Sequence, residues 1–275
     1  PLERRAIETG GDGRLGIKDG LAVRALQDGH RPSRQRADAD DEDGDVRVVR
    51  FLDGLLDLAV PSYNAARVTV LFGNGAGLFT NAVNYTVGSG PETVRAGDLN
   101  GDGNPDLVVA NYNSSIFSVL MGSTNGTFTV TTNYATPSNP RYTALADVNG
   151  DGKLDAITVN NPHYVSVAFG NGDGTFQPRT DYNIGSGDTY QVVVADLNHD
   201  GAPDLIIPGY GANRLYTMLN NGDGTFGGLF SYGNIGGNPI GVVVGDYNHD
   251  GLLDIATCTW NGNNVVVMLG NNTEG

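Results

Sequence analysis

"DLNGDGNPD", residues 98–106, sets Asp98, Asn100, Asp102 and Asp106 around a glycine turn, and the chain writes it repeatedly. "DVNGDGKLD" follows at 147–155, "DLNHDGAPD" at 196–204 and "DYNHDGLLD" at 246–254, so the starts are 49, 49 and 50 residues apart. A fixed period of this length is the mark of stacked supersecondary units. A fifth copy lies upstream in register. The "DG" and the last Asp of "VRFLDGLLD" (49–57) stand 49 residues ahead of their counterparts, but Val49 and Phe51 occupy its first two oxygen-bearing positions.

Between 92 and 135 one period reads as four short strands, "ETVRAGDL", "DLVVANY", "IFSVLMG" and "FTVTTNYA". Val, Ile, Thr and Tyr dominate them, and Gly, Asn, Asp and Pro separate them, as strands and tight turns require. No sustained 3.6-residue apolar rhythm appears after residue 50, so helix is not expected there. Four antiparallel strands per period of this length predict an all-β fold, a β-propeller whose radial repetition leaves only short protected edges. The 275 residues have room for about five such blades, a partial or a small ring. Phe79, Phe128, Phe176 and Phe226 mark the turn into each fourth strand. Tyr85, Tyr134, Tyr182 and Tyr232 each follow that Phe by six residues and are expected to pack.

Three aspartates confined to one turn repel one another, by about 4 kcal/mol for a pair 4 Å apart at an effective dielectric near 20. A cation relieves this. Oxygens at positions 1, 3 and 5, a glycine at 6, a carbonyl at 7 and a carboxylate at 9 suit a hard cation with six or seven oxygen ligands, which is calcium. The expected ligands are Asp98, Asn100, Asp102 and Asp106 with the Asn104 carbonyl, then Asp147, Asn149, Asp151 and Asp155 with that of Lys153. Asp196, Asn198, Asp200 and Asp204 with Ala202, and Asp246, Asn248, Asp250 and Asp254 with Leu252, complete about four Ca2+ sites. The alternative is an Asx-rich turn without metal. His199 and His249, at position 4, are expected to face solvent.

Composition narrows the function. After residue 50 there are 20 acidic and 6 basic residues, a net charge of −14, which argues against nucleic acid as a partner because a phosphate backbone demands clustered Lys and Arg. No apolar run reaches the 18 or more residues of a membrane-spanning helix. The one cysteine, Cys258, lies in the strand "DIATCTW" and is expected in the core. Residues 1–48 differ from the rest: they hold no Phe, Trp or Tyr and carry the acidic run "ADADDEDGD" at 37–45. A flexible leader, a decayed blade and a frame-shifted repeat are the three readings of this atypical segment. The propeller then occupies 49–275.

In an up-and-down blade the connections between strands 2 and 3 lie on the face opposite the aspartate loops. There Tyr63, Tyr112, Asn161, Tyr210 and Trp260 recur at intervals of 49, 49, 49 and 50, with His163 nearby. Such rings, beside Asn and Gly, can stack on sugar faces or anchor a protein; the alternative is that they cover strand ends. Catalysis finds little support. No serine elbow or phosphate-binding glycine loop accompanies His163, and the carboxylates are committed to the loops, so no catalytic residue is assigned.

The D-x-N-x-D-G-x-x-D string, with "FGNGDGTF" (169–176) and the "ADLN" or "GDYN" around its start, resembles the FG-GAP/VCBS repeat family, known from the integrin α-subunit propeller. The resemblance covers 49–275. It implies structural calcium, an extracellular or cell-surface location, and a binding or adhesion module with a glycan or protein ligand. A structural spacer within a larger propeller, completed by further blades, and a carbohydrate-active enzyme are the alternatives it leaves. The first loop departs from the pattern, and relatives commonly have seven blades.

Overall fold

The computed structural model describes residues 55–233 and 235–271, together with the backbone of four short strands ahead of them. Three of these, Thr9–Gly10, Arg14–Ile17 and Leu21–Ala22, pair with one another. The remainder of the atypical segment 1–48, and Phe51 to Gly54 of the damaged loop, lie outside the described residues.

Five antiparallel blades follow in chain order. The first contains Arg47–Arg50, Leu56–Ser62, Arg67–Gly73 and Phe79–Thr86; the second contains Pro91–Gly97, Asp106–Asn111, Ile116–Gly122 and Phe128–Ala135. Asn139–Ala146, Asp155–Asn161, Tyr164–Ala168 and Thr180–Asn183 form the third. In the fourth, Asp188–Thr189 and Val193–Ala195 both pair with Asp204–Tyr210, which continues to Arg214–Asn220 and Phe226–Gly233. The fifth has three described strands, Pro239–Gly245, Asp254–Thr259 and Val265–Met268. Consecutive blades pack most closely through their first and second strands, which places the first strand innermost and arranges the described blades as a propeller arc.

Burial follows from this layering. All of Asp106–Asn111 is buried, because a second strand has a strand on each side and a blade against each face, whereas the fourth strand Phe128–Ala135 is largely exposed. Hence "LVVA" (107–110) reads as an unbroken apolar run, and "FTVTTNYA" as a mixed one with Thr and Asn between its apolar residues. Four apolar clusters join the five blades in sequence. Val68 and Val70 meet Val94 and Leu107, Val108 and Phe117 meet Ala156, Val165 meets Leu205, and Leu215 meets Val242. Each fully buried Val, Leu or Phe among them stabilises the fold by roughly 1.5–3 kcal/mol.

In three of its four copies the tyrosine that follows the Phe by six residues braces the next blade; Tyr232, expected to pack in the same way, is a correction, since it is 44% exposed. The Tyr85 hydroxyl accepts the Phe128 N–H at 3.2 Å, that of Tyr134 accepts Phe176 N–H at 3.0 Å, and that of Tyr182 accepts Phe226 N–H at 3.2 Å. In each pair the two rings meet edge to face, with centroids 5.5–5.8 Å apart. Tyr134→Phe, which keeps the ring and removes the acceptor, should lower stability by about 1 kcal/mol in urea unfolding.

Cys258 is a correction. It is exposed rather than in the core, because it lies on the side of the fifth blade that faces away from the fourth, and no blade among the described residues covers that side. Its counterpart Pro208, one repeat earlier, is buried because the fifth blade lies over it.

Candidate functional site

The aspartate loops close on their own backbones. Asp98 accepts N–H groups from Gly101 at 2.8 Å, Asp102 at 3.2 Å and Gly103 at 2.8 Å, and Asp147 accepts those of Gly150, Asp151 and Gly152 in the same way. Asp196 and Asp246 each accept two equivalent amides. At position 3, the Asn100 Oδ1 accepts the Asp102 N–H at 3.1 Å, with the same bond in all four loops. The loops share a face with the turns between strands 3 and 4 and are tied to them across blades: Gly174 N–H donates to the Leu99 carbonyl, and Asn220 Nδ2 to the Val148 carbonyl.

Position 4 requires a left-handed backbone, with φ +73° at both Gly101 and Gly150. His199 and His249 adopt φ +61° and +63° there, and both side chains are exposed as expected. A side chain in this region is strained, so His199→Gly should stabilise by up to about 1 kcal/mol, read as a raised urea midpoint.

Position 9 behaves differently from the rest. Asp57, Asp106, Asp155, Asp204 and Asp254 are all fully buried. Asp106 accepts Leu99 N–H at 2.9 Å on one oxygen and Gly122 N–H at 2.7 Å on the other, so one carboxylate clamps the start of the loop to the end of the third strand. Asp155, Asp204 and Asp254 make the same two bonds. Burial pushes the carboxyls of Asp106, Asp155 and Asp204 above the ordinary carboxylate range; the amides oppose this, and the acids at positions 5 and 1 add to it. By contrast the exposed Asp102 is lowered, chiefly by the Asn104 N–H. Asp57 keeps its bond to Gly73 N–H, at 2.8 Å, in the copy where Val49 and Phe51 replace the first two oxygen-bearing residues. The bond to the end of the third strand thus persists in a copy that lacks two of the expected ligand oxygens.

Among the described residues no three acidic, histidine or cysteine side chains converge closely enough to hold a metal ion by themselves. The asparagine and the position-7 carbonyl have to complete each set. By chemical type the donors fit calcium, all being hard oxygens, although the Asn100 amide donates to Asp102 Oδ2 at 3.0 Å and its oxygen must turn inward to serve as a ligand.

On the opposite face two of the expected residues share a cluster. Arg141 reaches Glu92 at 3.3 Å, and its guanidinium carbon lies 4.6 Å from the Tyr112 ring centroid and 4.4 Å from that of Tyr190. Tyr190 in turn meets Tyr210 edge to face at 5.3 Å. Glu92, Arg141 and Tyr190 escaped the sequence reading, yet they occupy one register position 49 residues apart, Glu92 and Arg141 on the innermost strands of their blades and Tyr190 between Asp188–Thr189 and Val193–Ala195. That shared register was the available signal. Each cation–π contact contributes roughly 0.5–2 kcal/mol, more as water is excluded, and Arg141 and Glu92 are each only 11% exposed. Tyr63 donates to Asn113 Oδ1 at 3.1 Å, Asn161 is half-buried, and His163 packs beside Tyr164. Trp260 stands 62% exposed.

The model of the FG-GAP-like repeat matches residues 52–109, 98–158, 147–207 and 196–257 in succession. The chain belongs to this family. No curated protein matches the chain. Solved structures agree with the propeller. BBS1N in complex with ARL6DN is similar at 14% identity and TM-score 0.56, over 88% of this FG-GAP chain and 67% of that one. A structure of an Agrocybe aegerita lectin, described as recognising non-reducing terminal N-acetylglucosamine, is similar at 23% identity and TM-score 0.50, over 82% and 63%. A protein from Lactobacillus plantarum is similar at 16% identity and TM-score 0.55, over 79% and 68%. The FG-GAP chain thus spans about two thirds of the length of these structures. No helix among the described residues is long and apolar enough to cross a membrane.

Proposed function

We propose that the chain is a non-catalytic, calcium-stabilised binding module of an extracellular or cell-surface protein, with a glycan or protein ligand on the face opposite the aspartate loops. The observation that carries this is the division of labour between the faces. One face holds four in-register oxygen-rich loops; the other gathers Tyr112, Tyr190 and Tyr210 around Arg141, with Trp260 exposed. Aromatic rings offer sugars an apolar face, neighbouring amides supply hydrogen bonds, and the same residue types anchor protein partners. The lectin and the BBS1N–ARL6DN complex support each ligand class from the same fold. A role without catalysis is supported by the engagement of the loop carboxylates with backbone amides.

A glycan array, read alongside binding to candidate extracellular proteins in calcium, tests the ligand face. Trp260→Ala is the clean variant, because its exposure makes a folding defect improbable; it should weaken binding at least tenfold. Tyr112→Ala should do the same while also loosening Arg141. Binding that neither variant changes would remove the ligand face and favour the structural spacer. Turnover of a polysaccharide, with or without calcium, would overturn the non-catalytic reading.

A further inference from the structure

The four intact loops share one pattern of hydrogen bonds, and the 147–155 loop differs from the rest at a single oxygen. In the other three, Oδ2 of the position-5 aspartate accepts the side-chain amide of the position-3 asparagine: Asn100 donates to Asp102 at 3.0 Å, Asn198 to Asp200 at 2.8 Å and Asn248 to Asp250 at 2.9 Å. In the 147–155 loop, Oδ2 of Asp151 meets an ammonium, with Lys153 Nζ 3.3 Å away. Lys153 is the one lysine or arginine in the four loops; its counterparts at position 7 are Asn104, Ala202 and Leu252.

Two features hold the ammonium in place. Its stem lies across Gly172, in the turn between strands 3 and 4 of the same blade, so closely that a Cβ on that glycine would fall 2.9–3.2 Å from Cδ, Cε and Cγ. Asp173 of the same turn is a second carboxylate that feels its charge. One residue thus brings the loop two opposed groups. The Lys153 carbonyl at position 7 is an expected calcium ligand, whereas its ammonium already neutralises a carboxylate that calcium would take. With its side chain 43% exposed, Lys153 is free to swing its head into water, so it competes with an ion rather than excluding it.

We propose that Lys153 is a tethered cation that occupies the 147–155 loop in the calcium-free chain and is displaced when calcium binds, so that this loop fills last of the four and depends least on calcium for its shape. The inference rests on the proposal that the loops hold calcium. An ion entering this loop breaks the Lys153–Asp151 pair and then bears the repulsion of a like charge tethered nearby. In the other three it breaks a bond to a neutral amide, and no like charge remains beside it. The propeller then answers calcium in two steps. The junction of the third and fourth blades, where Asn220 Nδ2 holds the Val148 carbonyl, tightens in the second.

The test follows the position-6 amides of Gly103, Gly152, Gly201 and Gly251 by nuclear magnetic resonance as calcium is added to the 275-residue chain, since each is bonded to the aspartate at position 1 of its own loop. Gly152 should reach its midpoint at roughly three- to tenfold higher calcium than the other three. Lys153→Met, which keeps the stem over Gly172 and removes the charge, should close that gap and leave the other midpoints where they were. In the unmodified chain about 0.5 M potassium chloride should narrow it by screening. In EDTA, Lys153→Met should speed hydrogen exchange at 150–152 and leave 101–103 unchanged; circular dichroism checks that the variant is folded. Gly152 titrating with or ahead of the other three would overturn the proposal, as would a gap that Lys153→Met does not close. If none of the four amides answers to calcium, the calcium reading itself falls and this inference with it, whereas a common midpoint for four responding amides removes this inference alone.

Discussion

Millimolar calcium should raise the thermal midpoint of this chain by about 20 °C or more over the same protein in EDTA, and calorimetric titration should count about four sites. A ligand that binds only the folded state stabilises it by RT ln(1 + [L]/Kd), about 2.7 kcal/mol per site at a hundredfold excess over Kd; four independent sites give roughly 11 kcal/mol. For a domain of this size 1 kcal/mol moves the midpoint by about 2–4 °C. Four rather than five sites are expected because Val49 and Phe51 deprive the first loop of two ligand oxygens. Asp102→Ala, at an exposed position that clamps no distant strand, should reduce the count by one. Magnesium should substitute poorly, since it demands a tighter octahedron than a loop with a carbonyl and a buried carboxylate supplies. No heat and no shift would mean that the loops are Asx turns held by their own amides. Calcium, and with it the argument for an extracellular setting, would then fall.

The fold was legible because repetition multiplies a weak signal. A single "IFSVLMG" is ambiguous, but the same pattern of strands and glycine turns at a constant 49-residue spacing is not, and the strands Ile116–Gly122 and Phe128–Ala135 lie where the sequence placed them. The site was legible only in part, for two reasons. Position 9 reads as a ligand because a clamp and a cation both want a carboxylate at the end of the turn; only the degenerate first copy, which keeps Asp57 while losing its companions, separates the roles. The Glu92–Arg141–Tyr190 position was hidden because comparison of repeats rewards identity, and here one register position carries an acid, a base and an aromatic ring that work by differing. Exposure of Cys258 was illegible for another reason. Which side of a sheet is covered depends on the neighbouring blade, and the strand itself carries no record of it.

Asp57→Ala and Asp155→Ala, compared in EDTA, should each destabilise the chain by roughly 3–5 kcal/mol. Asp155→Ala leaves the Val148 and Gly170 N–H groups without their acceptor in the interior, at about 1–3 kcal/mol for each buried donor, and opens a small void besides. Asparagine is a poor substitute, since its amide would point a donor at one of those two donors. Relief of the penalty for burying a charge offsets only part of this loss. The decisive comparison is between the two sites. Asp57 belongs to a loop that lacks two ligand oxygens, so its substitution should cost the same in calcium as in EDTA, whereas Asp155→Ala should cost about 2–3 kcal/mol more once calcium is present, by the binding free energy of its site. Urea midpoints in the two buffers decide it. An Asp57→Ala chain as stable as the unmodified protein would show that the buried carboxylate serves the cation alone and that its bond to Gly73 contributes nothing. Equal losses at both positions in both buffers would make every position-9 aspartate a clamp, and would strike it from the ligand set.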